Sequence, residues 1–445
     1  MDVPKTRYAQ AADGTSLAYQ VFGEGDNDLL YLNTGFSHLE IMWELPHYAR
    51  FMRRLSAGHR VITFDKRGWG LSERRAPVAD LETMLDDLRT VLDAADSQRT
   101  VLFGFGEMGG APCAVYAATF PERVRAFIWW GARARVAWAP DYPWGDTEED
   151  IARSSELEPG WGDESRAAEL MRDVGVPSIA ADTRLQSWFA RLCRYSAAPA
   201  EMLRNDEAWY AVDVRGVLSS VHVPTLVTTR DSPDDEARYL AGLIPGASVA
   251  VLHGEDYPPY LGDQEEVFAA IGGFLDPVQR EEAELDRVLA TVMFTDVVGS
   301  TEKAAQLGDH QWKDLLDRHH ATVRSLLARY RGTEVKTTGD GFLATFDGPA
   351  RAVKCAEGVC QAVRPLGVEV RAGCHTGEIE LLGADVGGIA VHIAARVAAL
   401  AAPSEVLVSS TVKDLTAGSS LAFEDRGEHV LKGVPGSWHL YAVEH

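Results

Sequence analysis

The sequence predicts two domains of different class: an α/β domain on a mostly parallel sheet with a helical cap, then an α+β domain with a largely antiparallel sheet. Three observations carry this. The chain has 445 residues, too many for one typical core. Up to about residue 277, short apolar runs alternate with helical stretches, the pattern of parallel strands and their crossover helices. Beyond a charged, helix-prone segment, the remainder reads strand, long helix, hairpin, helix, strand, helix, strand.

In the first domain, residues 1–277, the strands are "DLLYLNTG", "RVITFD", "TVLFGFG", "VRAFIWWG", "VPTLVTT" and "SVAVLHG", each ending in turn or polar residues. "LETMLDDLRTVLDAAD" and "APCAVYAATFPER" supply helices between them. From about 135 to 215 the alternation loosens into helical sequence carrying Trp138, Trp144, Trp161, Trp188 and Trp209, which reads as a cap inserted over the sheet. Residues 278–287 are expected to form a linker helix. In the second domain, residues 288–445, the strand "ATVMFTD" precedes a long helix through "QWKDLLDRHHATVRSLLARY". A hairpin "TEVKTTGDGFLATF" follows, with Asp340-Gly341 as its expected turn. "ARAVKCAEGVCQAV" is a helix, "VEVRAGCHTGEIE" a strand, "GIAVHIAARVAALA" a helix and "EVLVSS" a strand.

Composition excludes some functions. The formal charge is −23, from 66 acids against 43 bases, the opposite of what a nucleic-acid binder needs. No basic-then-apolar leader opens the sequence, and no run approaches the roughly 20 apolar residues of a membrane helix. The five cysteines are scattered, and Cys355 and Cys360 are spaced for different faces of a helix. The expectation is a cytoplasmic protein with reduced thiols.

The first domain resembles the α/β-hydrolase family. "TFDKRGWGLSE" matches that family's Asp-x-Arg-Gly-x-Gly-x-Ser stretch at Asp65, Arg67, Gly68, Gly70 and Ser72. "NTGF" falls where the family has its oxyanion loop, and "AATFPERVRAFI" matches the helix and strand after the nucleophile. The family's G-x-S-x-G elbow exposes a serine on a tight strand-to-helix turn. Here the elbow reads "GFGEMGG". Counting back from "TFPERV" puts Glu107 at the nucleophile position, and counting forward from the strand puts Gly106 there. The late histidine loop reads "GEDYPPYLGD", with Tyr257 in the histidine's place, and Asp231 stands where the acid would be. A tyrosine of pKa about 10 is no proton acceptor at neutral pH. The resemblance therefore implies the fold without Ser-His-Asp hydrolysis. A small-molecule pocket is an expectation, its ligand class unread.

In the second domain, "FTDVVGST", "KTTGDGF" and "GADVGGIAVHIAARV" together resemble the class III nucleotidyl cyclases, of ferredoxin-like core, over nearly all of 288–445. The combined order is similar to actinobacterial proteins that join an α/β-hydrolase-like domain to such a cyclase. Cyclisation needs a poor nucleophile activated and much negative charge neutralised, and divalent ions on carboxylate oxygens do both. Asp296 and Asp340 match the family's metal-binding aspartates for two Mg²⁺ or Mn²⁺ per active site, with the Val297 carbonyl beside them. The amides of Gly299, Ser300 and Thr301 open a helix and suit a polyphosphate. Lys336 and Asp385 match the base-reading pair; lysine donates to adenine N1 and carboxylate accepts from N6, which favours ATP over GTP.

Arg396 matches the arginine at the α-phosphate, and Lys432 the lysine on the terminal phosphates. Four residues before Arg396 the family's usual asparagine is replaced by His392, expected to take its role and to make turnover pH-dependent near 6 to 7. The resemblance further implies a homodimer with composite sites. The leading expectation is an adenylate cyclase making 3′,5′-cyclic AMP and pyrophosphate from ATP, with the first domain as sensor or dimerisation module. The alternatives are a silent cyclase-like ligand sensor, and a bifunctional protein that retains hydrolysis through Glu107.

Overall fold

The computed structural model describes residues 3–74, 80–157, 160–230, 234–285, 287–382 and 385–444. They divide into two compact units, Met1–Val278 and Gln279–His445.

The first unit holds β1 (Arg7–Gln10), β2 (Ser16–Phe22), β3 (Asp28–Leu32), β4 (Arg60–Phe64), β5 (Thr100–Phe105), β6 (Val124–Trp130), β7 (Thr225–Arg230) and β8 (Ser248–Leu252) in one sheet. The order is β1-β2-β4-β3-β5-β6-β7-β8; β2 pairs antiparallel with β1 and β4, and the rest is parallel. Successive side chains of a strand point to opposite faces. Leu30, Leu102 and Phe127 therefore enter one core with α2 (Leu81–Ala94) and α3 (Gly106–Thr119), where Leu88, Val91 and Ala114 pack. Leu29, Tyr31, Phe103 and Ile128 enter the other with α1 (Pro46–Leu55) through Phe51 and Met52. Burial on both faces is why these strands read as continuous apolar runs. Each such side chain stabilises the fold by about 1.5–3 kcal/mol. The cap comprises α4 (Glu148–Leu157), α5 (Ala167–Asp173), α6 (Thr183–Ser196) and α7 (Pro199–Tyr210). After it, α8 (Asp235–Leu243) lies between β7 and β8 in sequence.

The matched "DKRG" stretch has structural work. Asp65 is fully buried and accepts hydrogen bonds from Ser37 Oγ (2.7 Å), the Leu39 amide (3.1 Å) and the Leu71 amide (2.9 Å), tying two loops together. Arg67 grips buried Asp87 with Nε (2.6 Å) and Nη2 (2.5 Å), and reaches Asp13 with Nη1 (2.8 Å).

A helix α9 (Gln264–Leu285) follows, containing Pro277, and Arg287 already opens the next strand. Residues 278–285 of the expected linker are helical, and their helix begins earlier, at Gln264. The second unit holds β9 (Arg287–Val297), β10 (Thr333–Thr338), β11 (Gly341–Phe346), β12 (Val370–Leu382), β13 (Asp385–Gly387), β14 (Val406–Ser409), β15 (Phe423–His429) and β16 (Trp438–Val443). Their order is β10-β11-β9-β12-β14-β16-β15, with β13 on β12; only β12 and β14 pair in parallel. Met293 and Phe342 face α10 (Ser300–Tyr330) and α11 (Pro349–Ala362), while Val292 and Leu343 face α12 (Ile389–Leu400). A short α13 (Ser410–Leu415) completes the unit.

One local expectation is corrected. The hairpin turn is Gly339–Asp340, not Asp340–Gly341: Thr338 pairs with Gly341, and the positive φ of 80° is at Gly339. Gly341 is glycine because a Cβ there would strike the Thr295 carbonyl oxygen. The expected helix through residues 311–330 forms, and Gly308, whose φ of 73° and ψ of 162° are not helical, sets it off from the first turns of α10. Cys355 and Cys360 are both buried, because α11 buries a broad arc that also takes in Val353 and Val359. Among the described residues, no helix is long and apolar enough to cross a membrane.

Candidate functional site

Parallel strands bring the ends of β3, β5, β6, β7 and β8 to one edge, where loops form a crevice. There a cavity of about 890 Å³ lies between those loops and the cap. The tight turn from β5 into α3 is at Gly106, whose φ is +66°, so Gly106 and not Glu107 occupies the elbow position. A Cβ at Gly106 would run into Thr34 Oγ1 and lie 2.7 Å from the Tyr257 hydroxyl. That hydroxyl donates to the Gly131 carbonyl (3.1 Å) and faces Glu107 Oε2 (3.3 Å). Burial, with the Glu107 carboxylate beside it, pushes the Tyr257 phenol well above its ordinary value, so it stays a donor. Glu107 Oε1 also meets Thr34 Oγ1 at 3.4 Å. The positions that would hold nucleophile, oxyanion donor and base are thus occupied by glycine, a carboxylate-bridged threonine and a phenol. Asp231 lies outside the described residues.

In the second unit the β-ladder builds a carboxylate pair. Phe342 pairs with Thr295, which sets the Gly339–Asp340 turn beside the end of β9 where Asp296 and Val297 stand. Asp340 Oδ2 is buried and has no hydrogen-bond partner. Asp296 is neutralised instead by Arg371, its cross-strand partner on β12, through Nη2 (2.5 Å) and Nε (3.0 Å). Gly299, at φ 65°, turns the chain into α10, with Ser300 and Thr301 in its first turn. Among the described residues no three acid, histidine or cysteine side chains are grouped to hold an ion by themselves. The donor set still fits a hard cation: two carboxylates, one with an unsatisfied buried oxygen, beside a strand-end carbonyl at Val297, leaving positions for ligand oxygens.

Two further groups stand apart. Lys336 Nζ donates to Asp385 Oδ2 at 2.6 Å, and this hydrogen bond holds the Asp385 carboxyl below its usual range. An irregularity in the β10–β11 register at Val335 re-aims Lys336. On α12, His392 and Arg396 are both exposed one turn apart, and Arg396 Nε donates to the Lys432 carbonyl (3.1 Å). Among the described residues no hydrogen bond or ion pair joins the Asp296–Asp340 pair, the Lys336–Asp385 pair and Arg396 to one another.

Residues 28–255 match the family model described as α/β hydrolase fold, just over half of the chain. The chain belongs to the α/β hydrolase fold family. Behind that hydrolase fold, residues 284–445 match the adenylate and guanylate cyclase catalytic domain. The hydrolase part is 26% identical over 243 residues to AB hydrolase superfamily protein YisY of Bacillus subtilis (strain 168), covering 52% of this chain and 88% of that one. Over 164 residues the chain is 28% identical to putative adenylate cyclase 3 of Rhizobium meliloti (strain 1021), covering 35% of this chain and 28% of that relative's length. An esterase (EaEST) from Exiguobacterium antarcticum superposes with a TM-score of 0.51 at 22% identity, over 62% of this chain and 100% of the esterase, a likeness of fold.

Sequence reasoning missed Arg371, although an arginine inside the buried-strand pattern "VEVRAGC" was a visible signal. It also passed over the adjacent His319 and His320, which α10 sets beside the Asp340 hairpin. His320 Nε2 lies 3.2 Å from the Gly339 carbonyl oxygen. His319 is buried with both ring nitrogens unpartnered.

Proposed function

We propose that the cyclase domain converts ATP to 3′,5′-cyclic AMP and pyrophosphate at sites shared between two copies of the chain. The observation that carries this is the carboxylate pair Asp296–Asp340, one oxygen of it buried and unsatisfied, in a unit that also presents Lys336 with Asp385. Mg²⁺ or Mn²⁺, two per site, would supply charge neutralisation and a more acidic ribose hydroxyl. Asp296 exchanges Arg371 for that role, and Asp340 gains the partner its Oδ2 lacks. The 3′-oxygen attacks the α-phosphorus, the bond to the bridging oxygen of the β-phosphate breaks, and the hydroxyl proton leaves to water.

The Gly299–Thr301 amides and Lys432 bind the outgoing phosphates, while Arg396 stabilises charge developing at the α-phosphate. His392, exposed beside it, takes the hydrogen-bonding role of an amide. Lys336 donates to adenine N1, and Asp385 accepts from N6. Their mutual ion pair, half exposed on both sides, is worth only about 0–1 kcal/mol, so adenine displaces it at little cost.

Exposed Leu289 (67%), Ile389 (55%) and Val430 (84%) leave apolar surface on the cyclase domain for a second copy to cover. We assign the hydrolase-fold unit a sensing or dimerising role without hydrolysis, since Gly106 and Tyr257 supply neither nucleophile nor base. Buried free cysteines support residence in a reducing compartment, the cytoplasm. The test is cyclase assay of the purified chain with Mn²⁺ and ATP or GTP. Asp296→Ala and Lys336→Ala chains should each be inactive and regain activity when mixed. Failure of the parent to form cyclic product, or unchanged turnover in Asp296→Ala, refutes the reading.

A further inference from the structure

The hydrolase-fold cavity has room, with a glycine at its elbow and a phenol at the position of the base. Its volume of about 890 Å³ is within the span of pockets that enclose whole small molecules. Its walls carry Phe36, Trp69, Trp130, Trp161, Trp209 and Tyr257, aromatic faces contributed by the strand-end loops and by the cap. Trp69, Trp130 and Trp209 are almost wholly buried, so their faces are fixed in place. Aromatic faces present negative potential and attract organic cations.

The charge of the cavity has the same sense. Carboxylates of Glu107, Asp146, Asp173, Glu236, Glu255 and Asp256 line it, against two arginines, and Glu236 accepts from the Tyr142 hydroxyl. Both arginines are held by the protein, Arg133 near enough to Glu107 and Glu236 to interact with both carboxylates. Arg133 is paired with Asp146 at 2.8 Å. Arg230 donates to the carbonyls of Asp256 (2.7 Å) and Leu261 (2.7 Å) and lies over the Trp130 ring, 5.1 Å from its centroid. Among the described residues Glu107 makes two long hydrogen-bond contacts, 3.3 Å to the Tyr257 hydroxyl and 3.4 Å to Thr34 Oγ1, with the Lys66 and Arg133 charges in electrostatic reach. A carboxylate has acceptor capacity for about four hydrogen bonds, so Glu107 has most of its capacity free. It stands between the threonine of the oxyanion-loop position and the phenol of the histidine position. An ester's developing oxyanion would be repelled there, whereas a positive group would be welcomed.

We propose that this cavity binds an organic cation, an amine or quaternary ammonium with an apolar body, its charge set against Glu107 and Glu236 and its body against the tryptophans. The inference concerns the hydrolase-fold unit alone and stands whether or not the cyclase domain turns over ATP.

The test uses the full chain and calorimetric titration with three probes of one shape class: benzyltrimethylammonium, benzyl alcohol and benzoate, with tryptophan fluorescence as a second readout. The expected result is saturable binding of benzyltrimethylammonium, at least tenfold tighter than benzyl alcohol or benzoate. Glu107→Gln should weaken it roughly 10- to 100-fold, the range for losing a charged partner. Glu236→Gln should weaken it in the same direction, which serves if Glu107→Gln does not fold. Benzoate or benzyl alcohol binding as well as the cation overturns the proposal. So does unchanged cation binding in a folded Glu107→Gln or Glu236→Gln chain, or the absence of any saturable binding by the cation.

Discussion

Replacing His319 with phenylalanine should stabilise the cyclase domain and halve a specific part of its pH dependence. His319 is fully buried on α10, with its ring 6.0 Å from that of Phe342 and neither ring nitrogen hydrogen-bonded. Burial, helped by neighbouring His320, lowers its pKa from 6.5 to about 4, and the nearby Asp340 carboxylate opposes the shift only in part. His375, whose Nδ1 is 2.7 Å from Ser409 Oγ, is lowered by burial to about 4 as well. The folded values lie below the unfolded one, so between them the unfolded chain binds more protons. This contribution to stability is therefore complete above pH 6.5 and lost as pH falls toward 4.

From pH 7.5 to 5.5 each histidine removes about 1.3 kcal/mol, about 2.6 kcal/mol for the pair. His319→Phe should lose only about half of that, and should gain about 1–3 kcal/mol at pH 7.5 by removing unpaired polar atoms from the core. Urea unfolding of the full chain without added metal, at pH 7.5 and 5.5, measures both through the transition that the substitution moves. A variant with the parent's full pH dependence, or less stable than the parent at pH 7.5, refutes the reasoning.

Other substitutions probe separate contacts. Asp87→Ala should cost about 3–5 kcal/mol, because Arg67 would stay buried with Asp13 as its remaining carboxylate; thermal unfolding of the hydrolase-fold unit reads this directly. Arg371→Ala should tighten Mn²⁺ binding up to about 5-fold, the worth of a partly exposed ion pair that the metal no longer has to displace, measured by calorimetric titration. Exchanging the base-reading charges, Lys336→Glu with Asp385→Lys, offers an acceptor to guanine N1–H and a donor to O6. It should shift the ATP-to-GTP ratio of kcat/KM toward GTP by at least roughly 10-fold in the cyclase assay.

The strands β3 to β7 were legible because burial on both faces leaves an unbroken apolar run. Edge strands left no such mark: β15, "FEDRGEH", keeps most of its residues exposed or half exposed, and β13 has three residues. Asp296, Asp340, Lys336 and Asp385 stand in short motifs, but Arg371 beside Asp296 follows from the β9–β12 register, which a single sequence does not display. The elbow was ambiguous because counting from either side gave a different residue, and the backbone dihedral at Gly106 decides between them. The cap's tryptophans announced an apolar lining; the carboxylates that face it come from five separate stretches of sequence and meet through folding.

The crowding at Gly106 closes the elbow to any side chain. The Tyr257 hydroxyl and Thr34 stand in the volume a serine's Cβ and oxygen would need, so a serine introduced there meets a wall rather than a vacant socket. Installing both a nucleophile and a base takes coordinated replacement of Tyr257 and Gly106, and each step taken alone lacks one or the other. Such a lock keeps ester hydrolysis out of reach of any single substitution in this unit.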